Sequence, residues 1–250
     1  MTTKHVIKQS VFQNLPGKVF GYWLSLPTIN SFRLGARRLN DYEVGSVGIQ
    51  PASPEKYVHF WWEIHYREIS FAAKTVHDTY CGQKWFPYNK GGSFRKWSGN
   101  NDTVIDWLND GEHIKKESEV TGKHYQQYSD SLKFQPFITW SRVSTGDPAF
   151  RLRTGSYLSD MAGFSLYSKG RENQLVILAF CNSVVAKHFL SFLSPGMNFM
   201  LGPVLNLPIQ ESMFKEEEKL SILVDELLLA SQKEWNSFET SWDFKKHPLV

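Results

Sequence analysis

Apolar and polar positions change their spacing several times along the chain, and each change predicts a different element. In "SMFKEEEKLSILVDELLLASQKEW" (212–235), Leu220, Leu223, Val224, Leu227 and Leu228 recur at the spacing of one helix face. Glu216, Glu217 and Glu218 fall in the first turns of that helix, where the macrodipole favours anions. "NQLVILAFCNSVVAKHFLSFL" (173–193) is apolar nearly all round, which predicts a single buried helix. "KVFGYWLSLPTINSF" (18–32) reads as a short amphipathic helix interrupted at Pro27. "TVIDWLNDGEHIKKESEV" (103–120) reads as helix broken at Asn109, Asp110 and Gly111.

Strand spacing appears elsewhere. "KYVHFWWEIHY" (56–66) is rich in aromatic and β-branched residues. "FITWSRVS" (137–144) alternates its faces, and "AFRLR" (149–153) is placed to pair with it across the turn signal "STGDP". "FSLYS" (164–168) is a further short strand, and "GPVLNLPI" (202–209) reads as a strand or extended edge limited by proline. Residues 35–56 and 84–100 read as loops, the second because Pro87, Gly91, Gly92 and Gly99 resist regular structure. There is no internal repeat. The sum is a mixed α/β (α+β) fold: a small mixed-sheet body over 1–210 with packed helices, then a C-terminal helical spacer over 211–250.

Composition fits that picture. A chain of 250 residues can bury a substantial core as one large domain or two small ones. A hydrophobic fraction of 41% with 21% charged residues is ordinary for a globular protein, which excludes global disorder. Aromatics reach 15%, a level that suits stacking surfaces as well as cores. Charge is uneven: residues 1–200 carry 23 Lys/Arg against 16 Asp/Glu, whereas 201–250 carry 5 against 9. A basic body with an acidic tail suits an anionic partner for the body. Cys81 and Cys181 lack metal-ligand company and read as reduced thiols. "MTTKHVIKQS" has no apolar stretch, and the longest apolar run, "LVILAFC" (175–181), is too short to span a bilayer. The expectation is a cytoplasmic protein with no membrane partner.

Several chemistries are missing from the sequence. His59 and His65 stand six apart, and there is no HExxH and no CxxC, so no metal site is expected. "NKGGSF" reverses the Lys–Gly order of a phosphate-binding loop, and neither GxSxG nor GxGxxG occurs. No catalytic residue can be assigned.

What remains is "KWFPYNKGGSFRKWSGN" (84–100), which interleaves Lys84, Lys90, Arg95 and Lys96 with Trp85, Phe86, Tyr88, Phe94 and Trp97 and holds no acid. Cations neutralise phosphates, rings stack on bases, and glycines let the backbone approach closely. Asn89 offers a base-edge contact or a turn cap. Arg142, Arg151 and Arg153 add cations, the last two sharing one face of a strand. The candidate DNA contacts are therefore Lys84, Tyr88, Asn89, Lys90, Arg95, Lys96, Trp97, Arg142, Arg151 and Arg153. The competing reading anchors the rings in the core and leaves the cations in water.

The succession "KWFPYNKGGSFRKW", "IDWLNDGEHIK", "FITWSRVS", "NLPI" and "EWNSFETSWDFKKHPL" resembles large adenine-specific DNA methyltransferases of the kind found in BREX phage-defence systems, close to single-chain type IIG restriction–modification enzymes. "LPGKVFGYWLS" and "GIQPASPEKYVHFWWEI" extend the likeness upstream, while residues 33–50 match less clearly. The resemblance implies the region after the catalytic domain, similar to a TaqI-type specificity domain that recognises the DNA target, with the last long helix like a spacer helix. It implies duplex DNA as partner, with a methyltransferase domain or other defence subunits beside it. That family's catalytic half carries a Gly-rich S-adenosylmethionine motif and an Asn-Pro-Pro-Tyr motif. Neither occurs here, since "NLPI" (206–209) is not the latter, so the cofactor is expected only in a catalytic domain outside this chain. The resemblance thus implies an isolated recognition fragment, inactive alone. The other classes left open are a protein-docking module using the Leu stripe, a sugar-binding module suggested by nine Trp, and an inert remnant.

Overall fold

The computed structural model describes residues 15–33, 35–168 and 173–247, together with 8, 12, 13 and 249. All of the first ten residues except Lys8 lie outside the described residues. In chain order the helices are α1 (Leu26–Asn30), α2 (Pro54–Tyr57), α3 (Leu108–Thr121), α4 (Asn173–Cys181), α5 (Val184–Leu193), α6 (Leu201–Leu205) and α7 (Glu217–Trp235). The strands are β1 (Glu43–Ser46), β2 (Val58–Phe60), β3 (Trp85–Asn89), β4 (Thr103–Asp106), β5 (Phe137–Trp140), β6 (Phe150–Arg153), β7 (Leu158–Ser159) and β8 (Ser165–Ser168). The fold is mixed α/β, as its spacing implied.

Among the described residues two four-stranded sheets form. The first runs β1-β8-β5-β6, antiparallel throughout; the second runs β2-β4-β3-β7, with only the β3–β7 pair parallel. The β5–β6 hairpin has the expected partners, from Phe137 opposite Arg153 to Trp140 opposite Phe150. The largest core lies between the first sheet and the helices, where Ile138, Trp140, Phe150 and Leu166 meet Ile177, Leu190 and Val224. In the second sheet side chains alternate sides. Phe86, Tyr88 and Ile105 face one cluster with Trp107 and Ile114, and Trp85 and Val104 face another with Ile69.

Several expectations shift. Pro27 opens α1 instead of interrupting a helix, because its missing N–H costs nothing in a first turn. Residues 35–56 contain β1, and 56–66 hold only the short β2 before tight turns. Residues 103–106 form β4, and the break at Asn109, Asp110 and Gly111 is real, with all three at positive φ. Residues 201–205 form α6, leaving only Pro208 bridged to Arg38.

The stretch 173–193 is two helices bent 66° apart. Ser183 caps the second, its Oγ accepting from the Ala186 N–H at 3.2 Å. The Asn182 side chain leaves the helix path to pair with both main-chain groups of Phe150, at 3.1 and 2.9 Å. No single helix among the described residues is long and apolar enough to cross a membrane.

Candidate nucleic-acid interface

The first five positions after Lys84 are not a loop. Trp85–Asn89 is β3, buried at every position. Pro87 is tolerated because its pairing with Val104 needs no donor from it, while rings on either side fill two cores.

The loop proper begins at Lys90 and is tied down along its length. Gly92 and Gly99 sit at φ 122° and 108°, and a Cβ on Gly92 would stand 2.8 Å from the Asn100 side chain. Asn100 Nδ2 donates to the Ser93 carbonyl at 2.9 Å. Trp97 acts as a one-residue strand: its N–H donates to Phe150 O at 2.8 Å, and Leu152 N–H donates to Trp97 O at 2.9 Å. Lys96 Nζ donates to the Asn182 carbonyl at 2.9 Å. Arg95 pairs with Glu234 of α7 and lies over the Trp235 ring, 4.9 Å from its centroid. Ser231, one turn earlier on α7, donates to Lys96 O and accepts from Ser98 N–H.

The two strand arginines do share a face, but it looks inward. Arg151 and Arg153 are 0% and 2% exposed and form a polar seam between the sheets. Arg153 Nε donates to Asn89 Oδ1 at 3.0 Å, and its Nη2 donates to the carbonyls of Gly99 and Asn100 at 2.9 and 3.2 Å. Arg151 donates to Arg95 O and Ser141 Oγ, each at 3.3 Å. Asn89 completes the seam by donating to Thr139 Oγ1 at 2.8 Å. Every acceptor is neutral, so the guanidinium charges are balanced only at longer range by Asp102. Burial pushes Arg151 down to about 9 and lowers Arg153 as well, while burial pushes the Asp102 carboxyl up.

This geometry redistributes the ten candidates. Tyr88, Asn89, Arg151 and Arg153 are interior; the two arginines donate to loop carbonyls, and Tyr88 Oη donates to Ile49 O. Arg95, Lys96 and Trp97 join the loop to α7, α4 and β6. Lys84 is half-exposed, 3.5 Å from the Asp106 carboxylate and 5.0 Å over Trp85. Lys90 is exposed, and Arg142 is half-buried with its Nε unpartnered. These last two lie in adjoining segments. Ser141 Oγ donates to Gly92 O at 2.7 Å, and Arg142 N–H donates to Ala162 O, which is 3.1 Å from the Cβ position at Gly91. Phe94, 58% exposed, adds a ring on the same loop.

No protein-family model matches the chain. The adenine-specific methyltransferase PglX of Lacticaseibacillus casei (strain Zhang) is 35% identical over 245 residues, which is 97% of this chain and 20% of that protein. Along nearly its whole length the chain is homologous to a segment of that methyltransferase. Adenine-specific methyltransferase BrxX of Escherichia coli O9:H4 (strain HS) is 29% identical over 249 residues, again 97% of this chain and 19% of that protein. The chain therefore spans about a fifth of the length of the relatives it matches.

The PglX-like segment also gathers residues that no single motif announces. Tyr66, Asn101, Arg153, Tyr157, Gln232 and Trp242 line one cleft, although they come from five separate stretches. Chain topology alone brings them together. The sequence signals were the candidate Arg153 and the surplus of aromatic residues, and neither says which side chains meet.

Proposed function

We propose that this chain is a DNA target-recognition segment of an adenine-specific methyltransferase, of the BREX phage-defence type. The reading rests on one observation: nearly the whole chain aligns with one fifth of proteins named for adenine-specific methylation. In this reading the remaining part of such a protein grips the flipped adenine and S-adenosylmethionine, and this segment supplies a rigid surface for the duplex. Lys90 and Arg142 meet phosphates beside Phe94, and the buried arginines keep the loop in one shape, which lowers the ordering cost of binding.

Fluorescence anisotropy of the purified chain with duplex DNA at several salt concentrations tests this. Binding that weakens with salt is expected, and Lys90→Ala and Arg142→Ala should each flatten the log–log slope by about 0.9. Absence of binding at low salt would sink the reading. Unchanged slopes would remove these two residues from the contact set. Methyl incorporation by this chain alone should be at background.

A second reading has its own observation. The outer face of α7 exposes Ile222, Leu223, Leu227 and Leu229, an apolar stripe suited to protein docking. Co-elution with a methyltransferase domain that Leu223→Ser/Leu227→Ser abolishes, with no DNA present, would favour it.

A further inference from the structure

The cleft beside the buried arginines has a volume of about 380 Å³, within the range of small-molecule sites. Its rings form a connected arc. Tyr66 meets Phe71 at 5.0 Å between centroids, Phe71 meets Trp242 at 5.1 Å, and Trp242 meets Tyr157 at 6.0 Å. Such walls favour a flat aromatic ligand.

Polar side chains share the lining with these rings. Arg153 borders the cleft; its Nε and Nη2 are occupied, and its Nη1 has no acceptor among the described residues. That guanidinium lies over Tyr157, 5.3 Å from the ring centroid, so it is held rigidly. Asn101 supplies the complement: its Oδ1 is buried without a hydrogen-bond partner. Gln232 and Asp243 stand at the rim. A buried orphaned acceptor is costly, and the same cleft offers the free Nη1 of Arg153 and the ring walls. A ligand with a π-face, an acceptor and a donor satisfies all three. A purine has these features: N7, with O6 in guanine, accepts from an arginine, and its ring N–H or exocyclic amino group donates.

We propose that this cleft receives a purine base turned out of the DNA stack. The proposal rests on the DNA-recognition reading for its ligand source, though the cleft itself is argued from geometry alone. Stacking on the ring arc supplies most of the affinity and Arg153 with Asn101 supplies the preference for purine.

The test uses the full chain and free nucleotides. Calorimetric titration with AMP, GMP and CMP is expected to show a purine nucleotide binding with a Kd of about 1 mM or tighter, and CMP at least tenfold weaker. Gln232→Trp, which fills the rim from an exposed helix position, and Trp242→Ala, which removes a wall, should each weaken purine binding at least tenfold. A parallel anisotropy titration compares a matched duplex with one carrying a mispaired purine, which leaves the stack at lower cost; tighter binding of the mispaired duplex, lost in Gln232→Trp, supports the proposal. Failure of both purines to bind, equal binding of CMP, or indifference to both substitutions overturns it. Duplex binding without nucleotide binding defeats the cleft and leaves the DNA reading intact; nucleotide binding without duplex binding does the reverse.

Discussion

Two pairs of cations border the same loop and behave oppositely. Arg151 and Arg153 lie beneath it, spending most of their N–H groups on internal oxygens, with Arg151 Nε left unpartnered. Lys90 and Arg142 lie at its rim, one exposed and the other half-buried with a nitrogen to spare. In the sequence all four look alike: basic residues beside rings and glycines. The difference is sheet geometry. β6 stands at the edge of the first sheet, so its odd-numbered side chains must point either to the helix core or to the second sheet, and β3 covers the latter. Arginine suits that seam because its planar fork satisfies several carbonyls that a loop of non-repeating backbone leaves open.

The largest expected effect follows from that seam. Arg153→Met removes the donor to Asn89 Oδ1, Gly99 O and Asn100 O and leaves three buried acceptors unpaired. At about 1–3 kcal/mol for each orphaned group, a loss of at least ~3 kcal/mol is expected in denaturant unfolding. Arg153→Lys should recover only part of it, since an ammonium cannot reproduce the fork. A stability close to wild type for Arg153→Met would mean that the seam is not what holds the loop.

Asn182→Ala comes next. Asn182 bonds both main-chain groups of Phe150 and, through its own carbonyl, receives Lys96. The substitution strips the edge of β6 of two partners and should cost about 1–3 kcal/mol by the same measurement. If the loop depends on β6 being pinned, Asn182→Ala also weakens DNA binding, although Asn182 lies 8% exposed.

What could be read in advance was whatever depends on local periodicity. The β5–β6 hairpin, β8, α7 and the break at Asn109–Gly111 follow from spacing and turn chemistry within a few residues. The shared face of Arg151 and Arg153 was equally legible. Which way that face points was not, because it depends on β3 arriving from some sixty positions earlier. Pro87 disguised β3 as loop, and apolar continuity disguised the Asn182–Ser183 bend between α4 and α5. The reading that anchors Trp85, Phe86 and Trp97 matches two buried rings and a third packed against the first core, but most of the neighbouring cations are anchored with them.

Asp102 offers a smaller and sharper probe, because it stands between the two pairs: its charge is felt by Arg153, Arg151 and Lys90. Burial raises its carboxyl above the ordinary 3.8, and the cations only partly offset this. A raised acid contributes stability at low pH that is lost as pH climbs through the raised value. In urea unfolding from pH 3.8 upward, wild-type stability should therefore fall relative to that of Asp102→Asn, which does not titrate. A rise relative to the variant would mean that the arginines, not burial, dominate at Asp102.

The smallest effect on stability is expected where the effect on binding is largest. Lys90 is solvated, and the guanidinium of Arg142 makes its one close ring contact at 5.8 Å from Phe164. Truncating an exposed cation shifts stability within about 0.5 kcal/mol, so Lys90→Ala should melt like wild type while its DNA affinity loses salt sensitivity. Arg142→Ala should follow in binding but lose slightly more stability, because its guanidinium lies over Phe164. The comparison fails if the two pairs exchange roles. Suppose Lys90→Ala unfolds more readily than Arg153→Met, or an Arg153 variant that still folds binds DNA with a flattened salt slope. Burial would then not be what separates structure from recognition around this loop.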